Sequence, residues 1–192
     1  ESSTNAYSVK GSTPFIDALF ATRYGIYPDQ QPADGLKEQI GRQGSMRFYE
    51  NKYTLPVGFV MPQDMETNWV LDSGNPANVQ NDLSSVLGVS NLLVPAEGVS
   101  EGKKFTFTAD ASGDYYVYVT NKKVEEVSAE IGERSLSFDN VDRGYFLELG
   151  YLPKGQEVIL QSKTDGNPAM QAEIWRFDPE AMEEIYQCLS KS

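Results

Sequence analysis

Between residues 105 and 177 the apolar side chains recur at every second position, and that period decides what this chain can fold into. Phe105 and Phe107 alternate with Thr106 and Thr108, and after Ala111-Ser112-Gly113-Asp114 the alternation resumes in Tyr115-Tyr116-Val117-Tyr118-Val119-Thr120. Successive side chains of a strand point to opposite faces, so this stretch predicts a hairpin. Further strands are expected over Val124–Ile131, Tyr145–Leu149, Glu157–Gln161 and Ala169–Phe177. The turn dipeptides Arg143-Gly144, Lys154-Gly155 and Asp165-Gly166 separate the later ones. Short strands at this spacing predict a mainly β (α+β) fold: an antiparallel β-sandwich, jelly-roll-like, with a few flanking helices. The 11 Tyr and 9 Phe suit strands, and 192 residues suffice for a sizeable core.

Helices are expected at three places. Thr13 can cap the segment that runs through Phe20, with Pro14 at the first helical position, where a missing N–H costs nothing. Asn75-Pro76 opens a second, whose Val79, Leu83, Val86 and Leu87 form one stripe before Gly88 ends it. Asp178-Pro179 opens a third, carrying Met182, Ile185, Tyr186 and Leu189 on one face, with Glu180 and Glu183 near its dipole's positive end. The first hundred residues read as mixed: short strands at Arg23–Tyr27, Met46–Tyr49 and Pro56–Met61, and a polar loop around Pro28–Asp34. These strands are too few for an independent sheet. The whole of 1–192 is therefore read as one domain, with a mixed part over 1–100, sandwich strands over 101–177 and a closing helix over 178–190.

Charge and composition then narrow the chemistry. The formal net charge of −12 repels phosphate backbones and anionic headgroups, which argues against nucleic acid as a partner. Lys103-Lys104 and Lys122-Lys123 are too short to reverse that, and read as solvated strand ends. The chain has no histidine, which removes the common general base, the usual zinc ligand and the Ser-His-Asp triad together. One cysteine, Cys188, forbids an internal disulfide and fits the cytosol and the outer face of a Gram-positive cell equally. No apolar run approaches the roughly 20 residues that cross a bilayer, and Glu1-Ser2-Ser3-Thr4-Asn5 does not open like a signal peptide.

Carboxylates are plentiful: Glu125, Glu126, Glu130 and Glu133 cluster, as do Asp139 and Asp142. A glycosidase needs two carboxyls facing each other at about 5–9 Å, but acids at strand edges and turns are by default solvated charge. Asp139-Asn140-Val141-Asp142 lacks the glycine and terminal glutamate of a calcium loop. Asp64, Asp72 and Asp82 show no metal-ligand spacing, and no glycine pattern cradles phosphate. No metal, cofactor or catalytic residue is expected. Aromatic residues make the better binding case. Tyr116 and Tyr118 share one face of their strand, and if the valine face packs inward they offer flat rings to a sugar. The competing reading buries both faces. Trp69, in a loop-like stretch, is a further candidate for sugar contact, while Trp175 reads better as core.

One set of motifs carries more information. Tyr49-Glu50-Asn51, followed by Leu55-Pro56 and Gly58-Phe59, resembles the YENxxxLPxGF signature of the YfhO family of bacterial membrane proteins. Upstream, Phe15 to Tyr24 is similar to that family's helix leading into a "KY" strand, with Arg23 where Lys is usual. Downstream, Asn75-Pro76 with Gln80-Asn81 resembles its NPFxxQNxL helix, Ala77 replacing Phe. Leu147 to Leu152 before Lys154-Gly155, and the closing helix, follow in order, so the resemblance spans about residues 13–190.

The resemblance implies an extracytoplasmic domain of a polytopic membrane glycosyltransferase that uses lipid-phosphosugar donors, some members being linked to lipoteichoic acid and other wall polymers. It places the catalytic acids in loops between transmembrane helices, outside this sequence. The domain is then expected to be non-catalytic. It would assist recognition of a cell-wall glycan or teichoic acid, or serve as a structural lid packing on its own transmembrane domain. A free-standing glycoside hydrolase with a carboxylate pair is the remaining alternative. Tyr49, Glu50, Asn51, Leu55, Pro56, Asn75, Pro76, Gln80 and Asn81 also have structural readings: helix start, strand entry, core filling, and side-chain to backbone bonds that order a loop.

Overall fold

The computed structural model describes residues 10–29, 31–61, 63 and 65–190; Asp64 and the opening Glu1 to Asn5 lie outside them. The fold is mainly β, with twelve strands in three antiparallel sheets and four short helices among the described residues. In chain order these are α1 (Pro14–Leu19), β1 (Tyr24–Pro28), β2 (Lys37–Gln43), β3 (Met46–Asn51), α2 (Met65–Asn68) and α3 (Pro76–Val86). Then follow β4 (Leu93–Ala96), β5 (Gly98–Glu101), β6 (Lys104–Thr108), β7 (Gly113–Val119), β8 (Glu126–Ile131) and β9 (Arg134–Asp139). A 3-10 turn at Val141–Arg143 leads to β10 (Leu147–Leu152), β11 (Glu157–Ser162), β12 (Ala172–Phe177) and α4 (Pro179–Ser190).

Two sheets form the expected sandwich. One has the order β10-β7-β12-β4, the other β5-β6-β11-β8-β9. Phe105, Phe107, Val158 and Leu160 of the second pack against Tyr115, Val117, Leu147 and Ile174 of the first. The predicted hairpin is therefore wrong. β6 pairs with β5 and β11, while β7 pairs with β10 and β12, so the turn at residues 109–112 carries the chain from one sheet to the other. Both strands turn their apolar faces inward across the core, and the rings of Phe107 and Tyr115 meet there at 5.7 Å. Alternation alone cannot tell a strand's neighbour in the sheet from its neighbour across the sandwich.

The N-terminal region forms a third sheet, order β1-β3-β2, contrary to the expectation that it has too few strands. The missing strand is β2, whose sequence Lys-Glu-Gln-Ile-Gly-Arg-Gln carries almost no apolar signal. The strand expected at Pro56–Met61 does not form. Val57 is 96% exposed while Phe59, of the same parity, is half-buried, so the run has no consistent face. β4, β5 and β9, and the one-turn α2, are also absent from the sequence reading.

The three predicted helices form with the expected caps. Thr13 Oγ1 accepts from Ile16 N at 3.3 Å, Asn75 Oδ1 from Ala77 N at 2.9 Å, and Asp178 Oδ1 from Glu180 N at 2.9 Å. α1, α3 and α4 lie on the outer face of the four-stranded sheet, in a second core where Phe15, Leu83 and Ile185 meet Tyr116 and Phe177. That second layer makes the sheet bearing the tyrosines an interior element on both sides.

Candidate functional site

Burial decides the aromatic candidates. Tyr116 is 0% exposed and Tyr118 7%, both within the second core. Tyr118 donates its hydroxyl hydrogen to the Gly74 carbonyl at 2.7 Å and receives Lys122 Nζ at 3.0 Å. Neither ring faces solvent, so the exposed pair of tyrosines considered for sugar stacking does not exist; the covered-face alternative describes this sheet. Trp69, just past α2, is half-buried in the same core and donates Nε1–H to the Val79 carbonyl at 2.8 Å. All three rings hold the helical layer to the sandwich.

The motif residues likewise bond within the protein. Tyr49 and Leu55 are core. Glu50 pairs with Arg23 at 2.9 Å, and Asn51 Nδ2 donates to the Thr22 carbonyl at 2.6 Å. Asn75 caps α3, with Pro76 at its first position, and also donates to Glu173 at 2.6 Å. Thr13 Oγ1 donates to Gln80 Oε1 at 2.6 Å. Asn81 makes two bonds of 2.8 Å to the backbone of Leu93, clamping α3 to β4. Pro56 is exposed in the segment beyond Leu55. The clustered acids Glu125, Glu126, Glu130, Glu133, Asp139 and Asp142 are all exposed, as solvated charge should be.

A different set of titratable groups comes together, and the sequence reading missed it. Where the N-terminal sheet meets the sandwich, Lys37 Nζ stands 3.0 Å from Asp17 and pairs with Asp34, and its side chain is 2% exposed. Asp114 of β7 accepts from Gly35 N at 2.8 Å through one oxygen and has no partner for the other. Glu148 of β10 sits opposite Tyr116 in the strand register, and the buried Tyr116 hydroxyl has no partner. Asp17 and Asp34 thus pair directly with the ammonium, while Asp114 and Glu148 lie near enough to feel its charge.

The electrostatics follow from burial. Burial raises the Glu148 carboxyl to about 8, Lys37 opposing this while Asp34, Asp17 and Asp114 add to it. Burial raises Asp114 to about 6, the Gly35 N–H opposing. Burial disfavours the Lys37 cation, but Asp34 and Asp17 outweigh that and hold it charged. The one sequence signal available was Glu148 itself, a lone acid in Phe146-Leu147-Glu148-Leu149.

Two concavities flank the sandwich. A groove of about 850 Å³ lies by β4 and β5, lined by Trp175, Phe107, Thr106, Thr108, Glu97 and Glu157. A cavity of about 570 Å³ lies between β9, β10 and the segment around Pro28 and Pro32, and Glu148 lines it. No cluster of three or more His, Cys, Asp or Glu suited to a metal ion occurs among the described residues. No helix among them is long and apolar enough to cross a membrane.

One surface is unusual in a different way. In the N-terminal sheet Tyr24 pairs with Glu50, Ile26 with Phe48 and Pro28 with Met46, so Tyr24, Ile26, Met46 and Phe48 share a face. Tyr24, Ile26 and Met46 are exposed, Ile26 by 64%, and Ile40 at the β2 bulge is exposed as well. The opposite face carries Tyr27, Tyr49 and Lys37 toward the sandwich. No family model, curated protein or solved structure matches this chain.

Proposed function

We propose that this is a non-catalytic extracytoplasmic domain of a larger membrane glycosyltransferase, docked on the membrane-embedded part of its own chain through the bare face of the N-terminal sheet. The observation that carries this reading is that face: a β-sheet surface with Tyr24, Ile26, Ile40 and Met46 in solvent. Contiguous apolar patches of this kind mark interaction surfaces. Nine of the eleven large hydrophobic side chains exposed among the described residues lie between Phe20 and Leu71; the other two are Val99 and Tyr151.

Charge supports the same orientation. Residues 1–61 hold six Lys or Arg and six Asp or Glu, so the whole formal charge of −12 resides in residues 62–192. An acidic sandwich turned outward and a neutral, apolar sheet turned inward is the arrangement that a surface beside anionic headgroups favours. The YENxxxLPxGF-like stretch motivates the family, and with it the glycosyltransferase. The test is a photo-crosslinking amino acid at Ile26 in the complete membrane protein. Crosslinks into the same polypeptide's membrane segments are expected; their absence, with a control position on β8 giving the same pattern, overturns the reading.

A second reading, glycan recognition, is favoured by the groove beside Trp175, where an indole and two threonine hydroxyls adjoin. Calorimetry against wall-polymer fragments with Trp175→Ala as the comparison tests it, and equal heats for the two proteins dismiss it.

A further inference from the structure

The cavity between β9 and β10 has a composition that selects a ligand. Pro28 and Pro32 line one part of it, and Phe138 and Tyr145 another. Two carboxylates reach it. Asp139 is exposed and already ion-paired with Lys10. Glu148 is half-buried and accepts no hydrogen bond from a described residue. Behind it lie Asp17 and Asp34, both paired with Lys37, and Asp114, all of which act on its charge. The fully buried Tyr116 beside it leaves its hydroxyl unpartnered, and Asp114 leaves Oδ1 so.

A buried acid layer short of cations, with one member opening on an aromatic-walled cavity, lacks a positive charge. We propose that this cavity binds an organic ammonium ion, a protonated amine on a ring or short apolar body, with the ammonium against Glu148 and the body between Phe138, Tyr145 and the two prolines. An anion would meet the uncompensated acids, and a neutral ligand would leave the layer as it is. A cation gains both the carboxylate and the aromatic faces. The mouth already shows the pattern, since Lys10 Nζ stands 5.8 Å from the Tyr145 ring centroid. The proposal does not rest on the docking face, with which the cavity shares only Pro28 at the end of β1.

Titration gives the proposal a signature. From α1, β2 and the residues before it, Asp17, Lys37 and Asp34 act on Glu148. Asp114 and Tyr116 stand beside it on β7, Tyr27 on β1 faces the same charges, and Lys10, Asp139 and Tyr145 hold the mouth. Burial is the chief cause and the acids add to it, together outweighing Lys37, so Glu148 keeps its proton at neutral pH. Cation binding must release it.

The experiment is calorimetry of the whole chain with propylammonium, phenethylammonium and glucosamine chlorides, in buffers of differing protonation enthalpy. At least one amine is expected to bind about tenfold more tightly at pH 7 than at pH 6, with affinity levelling above about pH 8 and a proton released. Glu148→Gln should abolish this, and Phe138→Ala should weaken it while keeping the pH profile. 2-Phenylethanol, the uncharged counterpart, should not bind. The proposal is overturned if no amine binds at millimolar concentration, if the alcohol binds as well as the amine, if affinity ignores pH, or if folded Glu148→Gln binds unchanged.

Discussion

Lys37 Nζ lies 3.0 Å from Asp17 Oδ2 with both side chains buried, and this ion pair ties β2 of the N-terminal sheet to helix α1. Asp34 completes the pairing three residues upstream of the lysine. Such a group stabilises only while complete, because each charge has given up its water. Lys37→Met leaves two buried carboxylates without a counter-ion, and a loss of about 3–5 kcal/mol is expected in urea denaturation at pH 7. A loss under about 1 kcal/mol, the value of an exposed ion pair, would contradict this role.

The pH dependence of stability has a definite sign. Glu148 and Asp114 have folded-state values of about 8 and about 6, above their ordinary 4.5 and 3.8. The folded protein therefore holds protons that the unfolded chain has released. Stability from these groups is full below about pH 4 and is lost as pH rises toward about 8, with a slope of up to about 1.4 kcal/mol per unit per group. Glu148→Gln should flatten the upper half of that decline and leave the protein more stable than wild type at pH 8. Melting curves from pH 5 to pH 9 check this; a wild-type curve that rises across the range contradicts it.

The two buried tyrosines should respond oppositely to loss of the hydroxyl. Tyr118 uses its oxygen as a donor to Gly74 and an acceptor from Lys122, so Tyr118→Phe should cost about 1 kcal/mol. Tyr116 buries an unpartnered hydroxyl, so Tyr116→Phe should be neutral or stabilising. Chemical denaturation of the pair tests the assignment, and it fails if Tyr116→Phe is the more damaging change.

Asn81 holds α3 to β4 by bonding both the N–H and the C=O of Leu93. Asn81→Ala deprives an edge-strand residue of both partners and should cost about 2 kcal/mol. Asn81→Asp keeps the acceptor but loses the donor, and should fall between. Amide exchange at Leu93 reads this contact directly: it should quicken in both variants, and unchanged protection would place the helix's anchorage elsewhere.

What the sequence made legible was local. Thr13, Asn75 and Asp178 announce helix starts because a cap needs only the residues beside it. The Phe105–Phe177 alternation declares strands because a pleat fixes which side chains share a face. β2 stayed hidden because Lys37, Glu38 and Gln39 look like a polar loop. Lys37 is nonetheless buried, and only its pairing with Asp17 and Asp34 makes that burial tolerable.

By itself, then, the sequence determined the fold class, the helix starts and which residues travel together on one side of a strand. It also named Tyr116 and Tyr118 as neighbours on one face. Tertiary structure decided what each face meets. It sent β6 and β7 to different sheets, laid α1, α3 and α4 over the tyrosines, and gathered Asp17, Asp34, Lys37, Asp114 and Glu148 from four separate stretches of chain. Periodicity records orientation relative to the backbone, whereas burial and charge compensation depend on what arrives from far along the chain.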